Sequence, residues 1–175
     1  MDKKIAVIYK SKYGTTKRYA EWIADALGAT LLDAKAVQPG SLADYDTVVY
    51  GGWLIAGTIS GIKLVTANPC KNLVVFSVGL ADPALMDYSA ADQKNIPAEL
   101  QEKTKVFHLR GGIDYAKLGL LQKGMMSMVK NSAQKKPEAE RDPEERAILE
   151  TYGKQADFTS KEAVEPLIAW VKGER

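Results

Sequence analysis

IAVIYKSKYGTTK, residues 5–17, carries the chain from an apolar run into a helix, and its turn decides how the rest is read. Ile5 to Ile8 are unbroken in their hydrophobicity, as strands buried on both faces are. Ser11, Tyr13, Gly14, Thr15 and Thr16 follow at once. Beyond them Tyr19, Ala20, Ile23, Ala24 and Leu27 recur at spacings of three and four, with Gly28 as the stop. Two readings of the turn are open at this point. It is a plain strand-to-helix connection capped by Thr15, or a cradle for an anion built from three hydroxyls and the N–H groups of a helix N-terminus.

The same rhythm continues outward. Strand-length apolar runs recur at TLLDA (30–34), TVVYG (47–51), LVVFSVG (73–79) and KVFHL (105–109). Ser89, with Asp92 three residues on, predicts a capped helix through about Lys103. Thr159 and Glu162 predict a cap for a last helix bearing Val164, Leu167, Ile168 and Val171, with Pro166 kinking it or delaying its start. Strands alternating with helices predict an α/β fold: an open parallel sheet with helices on both faces, in one domain spanning residues 1–175. Residues 113–158 break the rhythm, with an apolar, basic half (115–136) and an acidic half (138–150). Asp142 as cap and Pro143 in the first turn make that stretch a helical insertion before the last helix.

Composition narrows the function classes. With 46% hydrophobic and 26% charged residues the chain is globular rather than disordered, and a net charge of +2 without interleaved aromatics gives no case for nucleic acid. A single cysteine, Cys70, and a single histidine, His108, exclude an internal disulfide and leave no metal-ligand cluster. Both read as packed residues rather than catalysts. No apolar run reaches the ~20 residues of a membrane helix and no signal peptide precedes the first strand, so a cytoplasmic protein is expected. Lys117 to Lys136 nonetheless hold five lysines and no acid, among leucines and methionines. Such a segment can lie on the inner face of an anionic membrane or grip a partner. It can also pack on the sheet with its lysines solvated, or meet the acidic 138–150 segment.

In an open parallel sheet, ligands bind beyond the carboxyl ends of the strands. The candidate loops are therefore 10–16, 52–60, 78–88 and 110–115. No G-x-G-x-x-G follows the first strand, so Asp33 carries no ribose reading. Gly119 and Gly124 have the spacing of a triphosphate loop, but Met125 and Met126 stand where Lys and Ser/Thr are required. Arg110 and Asp114 can reach the pocket mouth by position alone.

The S-x-Y-G-T-T stretch after the first strand resembles the phosphate loop of the flavodoxin family, T/S-x-T-G-x-T. The spacing of all five strands extends the resemblance over most of residues 4–112 and the final helix. It implies a flavodoxin-like three-layer sandwich whose five-stranded parallel sheet runs 2-1-3-4-5, with FMN as cofactor. Carried over, Ser11, Lys12, Tyr13, Gly14, Thr15 and Thr16 hold the FMN phosphate, Tyr13 standing where the family often has Thr. Trp53, Leu54, Ile55, Ala56 and Gly57 cover one face of the ring, with Trp53 either stacking or packing as a core aromatic. Val78, Gly79, Leu80 and Ala81 bracket its pyrimidine side. No aromatic precedes Tyr88 in that third loop, which implies an open outer face with Leu80 or Met86 as lid.

Within the family, the insertion, the phrase FSVGLA and the segment LLQKGMMSMVK resemble the branch of menaquinone-dependent protoporphyrinogen dehydrogenases. The resemblance implies an FMN redox protein that passes electrons to a partner protein. Its alternatives are a flavoenzyme that passes electrons from a substrate to a quinone, and an interaction module without flavin. No residue is assigned a catalytic role, since electron transfer through flavin needs no side-chain acid or base.

Overall fold

The structure, a computed structural model, describes residues 3–174. Strand β1 (Ile5–Lys10) leads into helix α1 (Thr15–Leu27), β2 (Thr30–Asp33) and β3 (Thr47–Ile55). A two-residue strand β4 (Thr58–Ile59) turns back on the end of β3, and the short helix α2 (Lys63–Thr66) follows. Next come β5 (Leu73–Gly79), α3 (Ser89–Asn95), α4 (Ala98–Gln101) and β6 (Thr104–Arg110). The C-terminal third holds β7 (Gly112–Asp114), α5 (Leu120–Lys135), α6 (Pro143–Thr151), β8 (Gln155–Asp157) and α7 (Glu165–Lys172).

The five long strands are parallel and ordered β2-β1-β3-β5-β6, which is 2-1-3-4-5 once the β4 hairpin is set aside. Their unbroken apolar runs are explained by cores on both faces. Val7, Val49, Val74 and Phe76 meet Tyr19, Ala20 and Ile23 of α1 and Leu167 and Val171 of α7 on one face. The alternate residues Ala6, Ile8, Val48, Tyr50 and Val75 meet Leu42, Ile62, Val65 and Ile96 on the other. Gly51 sits where the Phe76 ring crosses the sheet, and a Cβ there would overlap that ring.

Several local expectations change in three dimensions. The helix expected from Ser89 to about Lys103 breaks into α3 and α4 at Pro97, which has no N–H to continue it. Its N-cap is Tyr88, with no side-chain cap; Asp87 just before it accepts hydrogen bonds from the N–H and Oγ of Ser89, while Asp92 bonds His108 instead. Thr159 does not cap α7, because its hydroxyl donates to Asp157. The helix starts at Glu165 with Pro166 in its first turn, as the late-start reading of that proline requires. Asp142 caps α6 with Pro143 in the first turn, and Glu145 completes the box by accepting from the Asp142 N–H.

The insertion is helical, but it stands on a ribbon that no sequence signal announced. Gly112–Asp114 pairs antiparallel with Gln155–Asp157, so both ends of the insertion leave the sheet together beside β6. Arg18 of α1 secures this stem through Asp157 at 2.5 Å and the Thr159 hydroxyl at 2.9 Å. Despite burial that would raise it, those bonds hold the Asp157 carboxyl down at about 2.

Candidate functional site

The carboxyl ends of β1, β3, β5 and β6 open into one cleft. At its floor the β1–α1 turn is not a Thr15 cap: α1 begins at Thr15, and no side chain caps it. Gly14 occupies the N-cap with φ 97°, a conformation that costs a side-chain-bearing residue dearly. The Ser11 hydroxyl accepts the Gly14 N–H at 3.1 Å, and the first backbone bond of the helix runs from Arg18 N–H to Gly14 C=O at 3.0 Å. The Thr15, Thr16 and Lys17 N–H groups therefore point out of the helix end, where the peptide dipoles sum to partial positive charge. No acidic side chain stands in that first turn to cancel it. Ser11, Lys12, Tyr13, Thr15 and Thr16 all line the cleft.

The second wall comes from β3, which runs on to Ile55 rather than ending near Gly51. Trp53, Leu54 and Ile55 line the cleft, with Lys10 Nζ 5.7 Å from the Trp53 ring centre. Ala56 and Gly57 form the tight β3–β4 turn, both with positive φ. That turn is held from outside by Asn95, whose side chain donates to Gly57 C=O at 2.7 Å and accepts the Ile59 N–H at 2.8 Å. Gly57 consequently serves the turn, and Ala56 faces an adjoining chamber instead of the cleft.

Val78, Gly79 and Leu80 supply the third wall, while Ala81 is buried behind them. Arg110, given no role by sequence, stacks on Phe158 at 3.7 Å and donates from Nε to Leu80 C=O at 3.1 Å. It pins the third loop to the stem of the insertion. Met86 stays outside the cleft lining, so Leu80 alone of the two expected lids is placed there. Tyr88 turns away as well, stacking face to face on His108 at 3.6 Å.

His108 lies between the Ser77 hydroxyl at 2.6 Å and the Asp92 carboxylate at 2.9 Å. Burial lowers its pKa, outweighing Asp92, which raises it. In the neutral ring Nδ1 accepts from Ser77 and Nε2–H donates to Asp92. The order of groups is that of a nucleophile, base and acid, yet Ser77 is only 1% exposed, so the trio braces β5 against β6 and α3. Cys70 sits apart beside Val65 and Asn68 carbonyls, its thiol pKa raised by burial. Among the described residues no cluster of three or more His, Cys, Asp or Glu could hold a metal. Nor is any described helix long and apolar enough to cross a membrane.

Sequence reasoning reached the fourth wall only at the 110–115 loop and missed the helices that complete it. Gly111, Gly112 and Ile113 of the stem, with Leu118, Gln122 and Met126 around the start of α5, line the cleft opposite the third loop. Glu144 and Ile148 of α6 complete it. The Tyr13 hydroxyl donates to the Gln122 side chain, tying the β1–α1 turn to the insertion rather than turning into the cradle. The one local signal was G-x-x-Q at 119–122, where Gln122 also accepts the Gly119 N–H as a cap. Glu144 has more than a third of its surface in the open cleft, yet the protein packed around its carboxyl raises its pKa, and Asp142 adds to the rise.

An open, doubly wound parallel sheet with an uncompensated helix N-terminus at its first strand end, facing a largely apolar cleft, defines a mononucleotide-type binding domain. The chain belongs to the flavodoxin family: the family model of the Flavodoxin domain matches residues 6–140. Solved structures similar to it include an archaeal flavodoxin, 15% identical, covering 61% of this chain and 82% of its own, with a TM-score of 0.43. Oxidised Flavodoxin 1 from Bacillus cereus is 16% identical over 61% of this chain and 84% of its own, with a TM-score of 0.45. A flavoprotein in complex with FMN from Lactobacillus acidophilus is 13% identical over 62% and 92%, with a TM-score of 0.43. No curated protein matches the sequence significantly.

Proposed function

We propose that the cleft binds FMN and that the protein is a redox carrier acting through it. The carrying observation is the β1–α1 cradle, which offers three outward N–H groups and neutral hydroxyls at the end of a cleft walled by Trp53. This donor set fits a phosphate group: it is neutral, hydrogen-bonding and free of carboxylates in the loop and first helical turn. Ser11, Thr15, Thr16 and the N–H groups of Thr15 to Lys17 would hold the phosphate. Trp53 and Leu54 would flank the ring, and Val78 to Leu80 would border it. FMN, when bound, supplies one- and two-electron chemistry. The chain's part is to fix the ring, keep water off one face and present the other to an acceptor.

Titration with FMN and with riboflavin, followed by quenching of flavin fluorescence, tests the reading. FMN should bind at least about tenfold more tightly, the phosphate supplying the difference through charge-assisted hydrogen bonds. Absence of FMN binding, or equal binding of riboflavin, overturns it; the first result would return the chain to an interaction module without flavin.

A second reading, a flavoenzyme that oxidises an organic substrate and hands electrons to a quinone, is favoured by one observation: the insertion roofs the cleft and adds a chamber beside it. The short matches FSVGLA and LLQKGMMSMVK support protoporphyrinogen as the substrate to try. Turnover of protoporphyrinogen with a menaquinone analogue would establish it. Electron delivery to a cytochrome without such turnover would leave the carrier. Helix α5 also turns Leu120, Leu121 and Met128 outward, 91%, 80% and 73% exposed, amid lysines, which supports peripheral contact of residues 115–136 with an anionic membrane. Co-sedimentation with phosphatidylglycerol vesicles, lost on replacing Leu120 and Leu121 by Ser, tests that contact.

A further inference from the structure

The chamber beside the cleft has no counterpart among the loops read from sequence. It holds about 360 Å³, within the ~300–1,000 Å³ of small-molecule sites. Ile55 and Ala56 form one side, and Met125, Met126 and Val129 of α5 with Ile148 of α6 form the other. Ile55, Ile113, Leu118, Gln122, Met126, Glu144 and Ile148 border both spaces, so the chamber is a side extension of the cleft, with Ala56, Met125, Val129, Asp142 and Glu145 lining it alone.

Its charge is one-sided. Among the described residues, the ionisable ones in the lining are Asp142, Glu144 and Glu145, although α5 carries several lysines. Glu145 is neutralised by Lys136 at 2.6 Å; Asp142 caps α6 by accepting the Glu145 N–H, and among the described residues neither Asp142 nor Glu144 makes a salt bridge. The lysines of α5 are used elsewhere: Lys123 lies over Tyr115 and Lys130 over Tyr152. An apolar anion entering the chamber would face two carboxylates with no cation to receive it, whereas an uncharged ring would meet methionine and aliphatic surface.

We infer that this chamber is a binding site for an uncharged, apolar ring compound, seated between α5 and α6 beside the flavin cleft and selected against anions by Asp142 and Glu144. The inference rests on the flavin reading only for its role, since an acceptor or donor held there would adjoin the ring; binding itself does not require flavin. The methionines are built-in reporters: Met125 lines the chamber alone and is the diagnostic one, Met126 lines chamber and cleft, and Met86 lines neither. The probes are 2-naphthol, neutral at pH 7, and naphthalene-2-sulfonate, of similar shape but anionic; both are redox-inert.

In protein labelled with ¹³C at the methionine methyls, with and without FMN, 2-naphthol should shift Met125 and Met126 and leave Met86 in place. It should bind about tenfold more tightly than the sulfonate, as repulsion by two nearby carboxylates implies. Val129→Trp, which fills the chamber, should abolish the shifts while FMN affinity stays within about twofold. Glu144→Lys, which reverses the charge where chamber and cleft meet, should draw the sulfonate level with the neutral probe. Shifts confined to residues of the cleft, equal binding of the two probes, or indifference to both variants would overturn the inference. If FMN fails to bind but the Met125 and Met126 shifts persist, the flavin reading falls and the chamber stands. If FMN binds and those shifts are absent, the chamber falls alone.

Discussion

Gly14→Ala is the sharpest probe of the cradle, because the structure separates its two possible costs. A Cβ at Gly14 would meet no atom within 4 Å, so crowding contributes nothing. The φ of 97° remains, and holding a residue with a Cβ in left-handed backbone costs about 1–2 kcal/mol. That strain must appear in one of two places. If the free turn keeps its shape, the folded state carries the strain and unfolding by urea shifts by about 1–2 kcal/mol. If the free turn relaxes, binding must restore the cradle, and FMN affinity falls by about 5- to 30-fold. The two losses should together account for about 1–2 kcal/mol, read from urea denaturation and FMN titration of the same preparation. Gly14→Asn should lose less in both assays, since Asn tolerates this region better than Ala. Riboflavin affinity should not follow Gly14→Ala, because the turn faces the phosphate. The reasoning is refuted if stability and FMN affinity are both unchanged, or if riboflavin weakens as much as FMN.

Other outcomes follow from single contacts. Gly51→Ala should cost about 1–3 kcal/mol in denaturant unfolding by overpacking Phe76, and Phe76→Leu should recover part of it; strict additivity would contradict the contact. Tyr13→Phe should speed amide hydrogen exchange over residues 119–124 while leaving FMN affinity within about twofold, because the hydroxyl bonds Gln122. A large loss of FMN affinity would instead make Tyr13 a phosphate ligand. His108 binds protons less readily folded than unfolded, so its stabilisation is complete above its ordinary 6.5 and drains away as pH falls below that value. Urea midpoints at pH 7.5 and 5.5 should therefore differ more in the native protein than in His108→Gln.

The sheet was legible in the sequence because strands buried on both faces must be apolar at every position. The runs at 5–9, 47–51 and 73–79 became central parallel strands for that reason, while those at 30–34 and 105–109 became the less buried edge strands β2 and β6. Their order was legible only through family resemblance, since no residue announces which neighbour a parallel strand will take. Helix ends were read well where the capping group is local, as at Asp142, and badly where a competing partner lay close. The Ser89 hydroxyl turned back to Asp87 instead of capping, and Asp92 went to a histidine sixteen residues on.

The site divides along the same line. A turn that places hydroxyls and a positive φ within six residues writes itself into the chain, and Ser11, Lys12, Tyr13, Thr15 and Thr16 line the cleft with Gly14 at the helix N-cap. Trp53 was expected in a loop after the run at 47–51 and lies instead within β3, which runs on to Ile55. Beyond the 110–115 loop, the fourth wall does not write itself anywhere. Ile113, Leu118, Gln122, Met126, Glu144 and Ile148 face the cleft only because β7 pairs with β8 and swings two helices over the strand ends. In sequence those residues are a basic amphipathic stretch and an acidic one, each able to face solvent, membrane or sheet. Local chemistry determined the cradle; the choice among faces belongs to long-range packing, and only the folded chain makes it.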